Sequence, residues 1–190
     1  MKRHLLIYIV VGVVFFIAGI VFAPALREKG YQIKEWVTRP SPPPPSTKTV
    51  ILYFSLPGEE YLFPEEREII ASSDPTSEAR TILEELIKGP NSSSLSPTIP
   101  PGTKVRAVYI KDGCIYVDFS STLAEDHPGG STGELITVYS IVDTLLTNFP
   151  SQSKVQILIQ GKPRETLSGH IDIRKPLSKN TDIIRLSPGI

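Results

Sequence analysis

The first strong pattern along the chain is a run with no polar face. Leu5 to Leu26 (LLIYIVVGVVFFIAGIVFAPAL) carries no charge, and about 20 such residues are what a helix needs to cross ~30 Å of hydrocarbon. The pattern predicts one N-terminal transmembrane anchor over residues 1–27. A cleaved signal peptide competes, because Lys2 and Arg3 form a charged start and Ala23-Pro24-Ala25 an A-x-A-like site. The apolar part of such a peptide is typically ~7–15 residues, so the longer run here favours retention. Residues 28–48 show no periodicity and contain Arg39-Pro40-Ser41-Pro42-Pro43-Pro44-Pro45-Ser46. Prolines fix φ and lack amide donors, which predicts a semi-rigid extended stalk; a proline-rich ligand for a partner domain is the alternative.

Periodicity begins at Thr49. Thr49 to Ser55 reads as a β-branched and aromatic strand, with Tyr61-Leu62-Phe63 returning antiparallel after the Pro57-Gly58 turn. Asp74-Pro75 supplies an N-cap oxygen and a proline at the first helical position. Ala79, Ile82, Leu83, Leu86 and Ile87 then follow at helical spacing until Gly89-Pro90. Asn91 to Gly102 has no period and reads as a loop. Lys104–Ile110 and Ile115–Phe119 alternate on either side of Asp112-Gly113, a two-residue hairpin turn that needs φ above zero. Ser131 and Glu134 have capping-box spacing ahead of the stripe Leu135, Val138, Tyr139, Val142, Leu145, Leu146 and Phe149. Val155, Ile157 and Ile159 form a last strand closed by Gly161.

These elements predict an α+β fold: a small, mostly antiparallel sheet with two amphipathic helices on one face, in the order ββ-α-ββ-α-β, after one transmembrane helix. The domain spans 49–176, and 177–190 reads as a polar tail.

Charge narrows the partners. Lysine plus arginine number 20, as do aspartate plus glutamate, and the basic residues concentrate before Pro40, so the domain itself is mildly acidic. Nucleic acid is not an expected partner. Arg27, Lys29, Lys34 and Arg39 outnumber Lys2 and Arg3 beside the apolar run, which by the positive-inside rule points the domain inward. The short, signal-like N-terminal flank points outward. With Cys114 as its single cysteine, the chain can make no internal disulfide and no cysteine-based zinc cluster.

Candidate chemistry is sparse. Ser168, His170 and Asp172 are the residue types of nucleophilic hydrolysis, but at alternate positions they would sit in a row on one face, which is not a triad's nested geometry. Gly169, His170 and Asp172 are therefore carried as candidate ligand or partner contacts, with no catalytic residue, metal ligand or cofactor assigned. Asp126, His127 and His170 lack a diagnostic metal spacing. Gly129-Gly130-Ser131 reads as a flexible entry to a helix, Cys114 as an inert small side chain, and Tyr53, Tyr61, Tyr109 and Tyr116 as strand packing.

The series Ala79–Pro90 (ARTILEELIKGP), Ile99-Pro100-Pro101-Gly102-Thr103-Lys104-Val105, Asp112–Ser120 (DGCIYVDFS), the helix Glu134–Phe149 and Val155–Gly161 resembles the GerM-type sporulation and germination domain, GerMN. Thr166–Asp172 (TLSGHID) is also similar to that family. The resemblance implies a bacterial, extracytoplasmic, membrane-associated domain without known catalytic activity, of a fold similar to ring-building modules of secretion-like machines. In that family the sporulation protein itself carries two such domains and a lipid-modified cysteine, whereas this sequence leads one to expect a single such domain and an apolar anchor. The expected function is a non-enzymatic, single-pass protein of the bacterial cell envelope. It would act through contacts with envelope proteins or with itself, in sporulation, germination or an envelope assembly. A peptidoglycan-binding module is the alternative, followed by a hydrolase using His170 and Asp172.

Overall fold

A computed structural model describes residues 12–14, 16–18 and 46–186. The chain divides into two units, Met1–Pro44 and Pro45–Ile190. In the first, residues 12–14 and 16–18 are helical; the rest of the expected anchor and nearly all of the expected stalk lie outside the described residues. Among the described residues no helix is long and apolar enough to cross a membrane.

The second unit starts at β1 (Thr47–Ser55), which pairs antiparallel with β2 (Leu62–Ile70). β1 begins two residues before the expected boundary, and β2 runs well past Phe63. Pro64 and the charged Glu65-Glu66-Arg67-Glu68 hide that strand in the sequence. Pro64 is tolerated because its partner, Tyr53, gives its N–H to Thr144 at 3.1 Å and not to the ladder. Val50, Leu52 and Phe54 alternate inward and are fully buried.

Helix α1 (Pro75–Lys88) starts and stops as its sequence dictates. Asp74 accepts the N–H of Thr76 at 3.2 Å and of Ser77 at 3.0 Å. Gly89, at φ 89°, ends the helix with its N–H on Leu86 O. Ile82, Leu83 and Leu86 bury its apolar stripe, and the helix packs on β1 and on β3 (Val105–Lys111). β3 turns into β4 (Cys114–Phe119) through Asp112 and Gly113 at φ 51° and 74°, the expected hairpin. A four-residue helix α2 (Thr122–Glu125), too short to leave a periodic signal, leads to α3 (Ser131–Asn148) and then β5 (Lys154–Ile159).

Two features correct the expected architecture while leaving the α+β class intact. The strands form two sheets, β1-β2 and β3-β4-β5, and β5 lies parallel to β4. Parallel pairing follows from the connection, since α3 carries the chain back across before β5 begins. α3 is also not an amphipathic surface helix. It packs against β1, β5 and α1, and its polar Glu134, Thr137, Ser140, Asp143 and Thr144 are as buried as Val138, Ile141 and Leu145. Burial of those groups requires partners: Ser140 donates to Thr137 O within the helix, and the other four reach loops or a strand edge.

Two further readings change. The expected capping box is absent: α3 is entered from Gly130 with no side-chain cap. Residues 177–186, read as a polar tail, lie against the domain. Leu177 pairs with Val155, Ile184 bridges Leu62, and Ile183 and Ile184 pack with Tyr53, Leu62 and Ile136. Among the tyrosines, Tyr53 is core and Tyr61 stacks on the Arg185 guanidinium at 3.9 Å, whereas Tyr109 is 60% exposed.

Candidate functional site

The loop holding Gly169 and His170 is built around Glu134. From the first turn of α3, the fully buried Glu134 carboxylate accepts the Leu167 N–H at 2.7 Å and the His170 N–H at 2.8 Å, with His170 Nδ1 at 3.3 Å. Gly169, at φ 105°, lets the chain curl back so that amides on either side of it converge on one carboxylate. Burial alone would raise the Glu134 pKa, but the amides of Ser168, His170, Leu167 and Ile171 together outweigh it and hold it below the usual carboxylate range. A carboxylate so committed to backbone donors is a structural anchor, not a proton-transfer group.

The expected candidate contacts therefore separate. His170 takes Glu134 as its acidic neighbour, with 44% of its side chain exposed. Asp172 is claimed by Arg174, at 3.0 Å from Nε and 2.8 Å from Nη2, and that hydrogen-bonded pairing pushes its pKa down to about 2. Ser168, His170 and Asp172 form no hydrolytic relay.

His127 is likewise locked. Its Nδ1 accepts the Gly129 N–H at 3.0 Å, leaving Nε2–H to donate to Thr137 Oγ1 at 3.1 Å, while the Thr137 hydroxyl donates to Thr98 O at 2.6 Å. Burial lowers the imidazole's pKa, which suits the neutral ring this chain of bonds requires. Among the described residues no three His, Cys, Asp or Glu side chains are placed to hold a metal ion. Cys114 is buried, and burial pushes its thiol pKa up.

A groove of about 780 Å³ lies between the Leu56–Glu60 turn, the Ser96–Pro101 loop and the segment from Asp126 to Thr137. The Ser96 N–H bonds Ser55 O at 2.7 Å, which ties the loop to the end of β1. Across the opening, Thr132 Oγ1 donates to Glu60 at 3.1 Å. Leu56, Ile99 and Ile136 give it apolar walls, and Glu59, Glu60 and Asp126 are its charged lining residues. Its volume falls in the usual range for binding clefts, about 300–1,000 Å³. Three segments far apart in sequence compose it, so no local motif announces it. The one shared signal is that each is broken by proline, at Pro57, at Pro97, Pro100 and Pro101, and at Pro128.

Comparison with known proteins bears on the family and the fold. The family model described as "Germane: Sporulation and spore germination" matches residues 51–165. No curated protein gives a significant match. Among solved structures, the chain is similar to a "Putative Lipoprotein from Clostridium perfringens", at 28% identity and TM-score 0.52 over 72% of this chain and 90% of that one. It is similar to the tandem GerMN domains of the sporulation protein GerM from Bacillus subtilis, at 26% identity and TM-score 0.58 over 70% of this chain and 46% of that one. The first GerMN domain of the same protein shares the fold, at 24% identity and TM-score 0.55 over 70% and 96% of the two chains. The resemblance read from the helix-Gly-Pro, Asp-Gly and Val-Asp-Phe-Ser series is thus met, and the chain belongs to the Germane family of sporulation and spore germination domains.

Proposed function

We propose that this protein is a non-enzymatic, membrane-anchored component of the bacterial envelope, its domain extracytoplasmic and acting through protein–protein contacts in sporulation or germination. The observation that carries this reading is the groove, an open concave surface with apolar walls and carboxylates that have no basic partner among the described residues. The titratable groups that might have done chemistry, Glu134, His127 and Asp172, are engaged in holding loops. Family membership and the likeness to a sporulation protein and to a protein described as a putative lipoprotein support the setting. The apolar run Leu5–Leu26 supports anchoring by a helix instead of a lipid.

The test is crosslinking of the full chain in its native membrane. Recovery of a crosslinked envelope protein or of a homo-oligomer is the expected result, whereas monomer alone at all crosslinker lengths would reject the reading. Retention on purified sacculi without any crosslinked protein would transfer the role to a wall ligand. A reporter fused after residue 46 reads sidedness separately.

A further inference from the structure

We infer that the groove between the Leu56–Glu60 turn, the Ser96–Pro101 loop and the start of α3 is the docking site for a basic segment of a partner protein, whose lysine or arginine side chains meet Glu59, Glu60 and Asp126. The inference rests on the contact reading above and gives that contact a chemistry.

Charge complementarity is the first argument. No lysine or arginine is among the described residues lining the groove, and none of the three carboxylates has a basic ion-pair partner among the described residues. The start of α3 contributes the opposite sign, but a helix N-terminus amounts to only about half a positive charge. Three full negative charges outweigh it, so an anionic ligand is disfavoured here. Elsewhere on the domain carboxylates do find basic partners, as with Lys48 on Glu78 at 2.6 Å, Arg106 near Asp118 at 3.3 Å and Arg174 on Asp172 at 2.8 Å. Other carboxylates, Glu66 and Glu68 among them, also lack a basic partner among the described residues; what is particular here is that three such groups line one concave surface.

The second argument is independent of charge. Thr98 lines the groove and is only 6% exposed, yet its hydroxyl has no hydrogen-bond partner among the described residues. The oxygen is itself buried, so it gains a partner only when the Thr98 side chain turns outward to meet an occupant's donor or acceptor. Among the lining side chains the prolines carry no N–H, the carboxylates only accept, and the Thr132 and Thr137 hydroxyls already donate to Glu60 and to Thr98 O; the open donors are the first amides of α3. The carboxylates call for an occupant that brings donors, as lysine, arginine and a peptide backbone do. Leu56, Ile99 and Ile136 offer apolar contact to the aliphatic stems of the same side chains.

The experiment uses the full chain in lipid nanodiscs and three fluorescent peptides, acetyl-Leu-Lys-Leu-Lys-Leu-amide and its counterparts with glutamine or glutamate in place of lysine. The lysine peptide is expected to bind about tenfold or more tighter than the glutamate one, and to weaken as salt is raised. Glu59→Gln/Glu60→Gln/Asp126→Asn should erase that preference, while Glu66→Gln/Glu68→Gln, which removes the same kind of charge from β2 outside the groove, should preserve it. Thr98→Val should weaken binding without lowering the melting temperature. Equal binding of the three peptides, or a preference that survives the triple substitution, overturns the inference. If crosslinking still recovers an envelope partner in that case, the contact reading stands and only the groove is wrong.

Discussion

Glu134 and His170, thirty-six residues apart, are joined through the backbone: a carboxylate oxygen of Glu134 receives the His170 N–H at 2.8 Å, and the side chains approach at 3.3 Å. The relationship makes a sharp distinction between two substitutions. Glu134→Gln puts an amide NH₂ against converging N–H donors and is expected to cost roughly 2–3 kcal/mol, the range for hydrogen bonds to a charged acceptor. His170→Ala keeps the backbone donor and should cost less than about 1 kcal/mol, because the imidazole is half exposed. Denaturant unfolding of both variants checks this; equal losses would mean that the imidazole, not the backbone, is what Glu134 holds. The pH dependence has a definite sign. Because the folded-state pKa lies below the ordinary 4.5, the carboxylate's stabilisation is complete above about that pH and disappears as pH falls through the folded value. Glu134→Gln should flatten that acid limb.

Asn148 takes the place of a neighbouring strand. It receives the Ile51 N–H at 3.1 Å and returns an N–H to Ile51 O at 2.7 Å, so one side chain at the end of α3 satisfies the open edge of β1. Asn148→Asp preserves the acceptor but removes the donor, leaving Ile51 O facing a carboxylate. The expected loss is roughly 1–3 kcal/mol, with faster amide exchange along Thr49–Tyr53. Unchanged exchange there would show that water serves the edge equally well.

What could be read in advance divides along a physical line. α1 was legible because Asp74-Pro75 and Gly89-Pro90 act on their own backbone neighbours, and the β3-β4 hairpin because Asp112-Gly113 does the same. The full length of β2 was not, since Pro64 and its charged neighbours break the alternation; Pro64 is accommodated where Tyr53 bonds Thr144, and Arg67 and Glu65 by their bonds to the end of α1 and the loop after it. α3 misled more deeply. Its polar positions read as a solvated face and a capping box, whereas Glu134, Thr137, Asp143, Thr144 and Asn148 each reach a segment distant in sequence. The groove shares that origin, because its walls are joined by bonds between segments distant in sequence, Thr137 to Thr98 O, Ser96 N–H to Ser55 O and Thr132 to Glu60.

Arg67 illustrates a charge run with a buried purpose. Its guanidinium lies over the Phe54 ring at 5.8 Å and donates to Glu85 O at 2.9 Å and Gly89 O at 3.0 Å, capping the carbonyl end of α1, while Glu65 pairs with it. Arg67→Lys keeps the charge but cannot present a planar fork to two carbonyls at once. A loss of roughly 2 kcal/mol is expected, together with a frayed end of α1 visible as faster exchange at Ile87–Gly89. Wild-type stability in this variant would reduce the role of Arg67 to charge alone.

Asp143 makes the opposite case to Glu134 on the same helix. It is fully buried, one oxygen accepts the Asn180 N–H at 2.9 Å, and the other has no partner among the described residues. Burial pushes its pKa up from 3.8 to about 7, against the pull of the Asn180 amide and Lys179. A folded-state pKa above the unfolded one means that the folded protein holds the proton more tightly. The associated stability is therefore fully present below about pH 4, is lost as pH rises towards about 7, and does not change further above it. Asp143→Asn retains an acceptor for Asn180 and cannot ionise. One pKa unit corresponds to about 1.4 kcal/mol, so the variant should gain roughly 2–4 kcal/mol over the parent above pH 7 and almost nothing near pH 4. Because Asn180 leads into the segment whose Ile183 and Ile184 pack with Tyr53 and Leu62, the same ionisation should loosen residues 178–185 first. Amide exchange in that segment should accelerate across the same pH interval in the parent and not in the variant. A gain independent of pH would place the proton elsewhere and leave Asp143 with only its bond to Asn180.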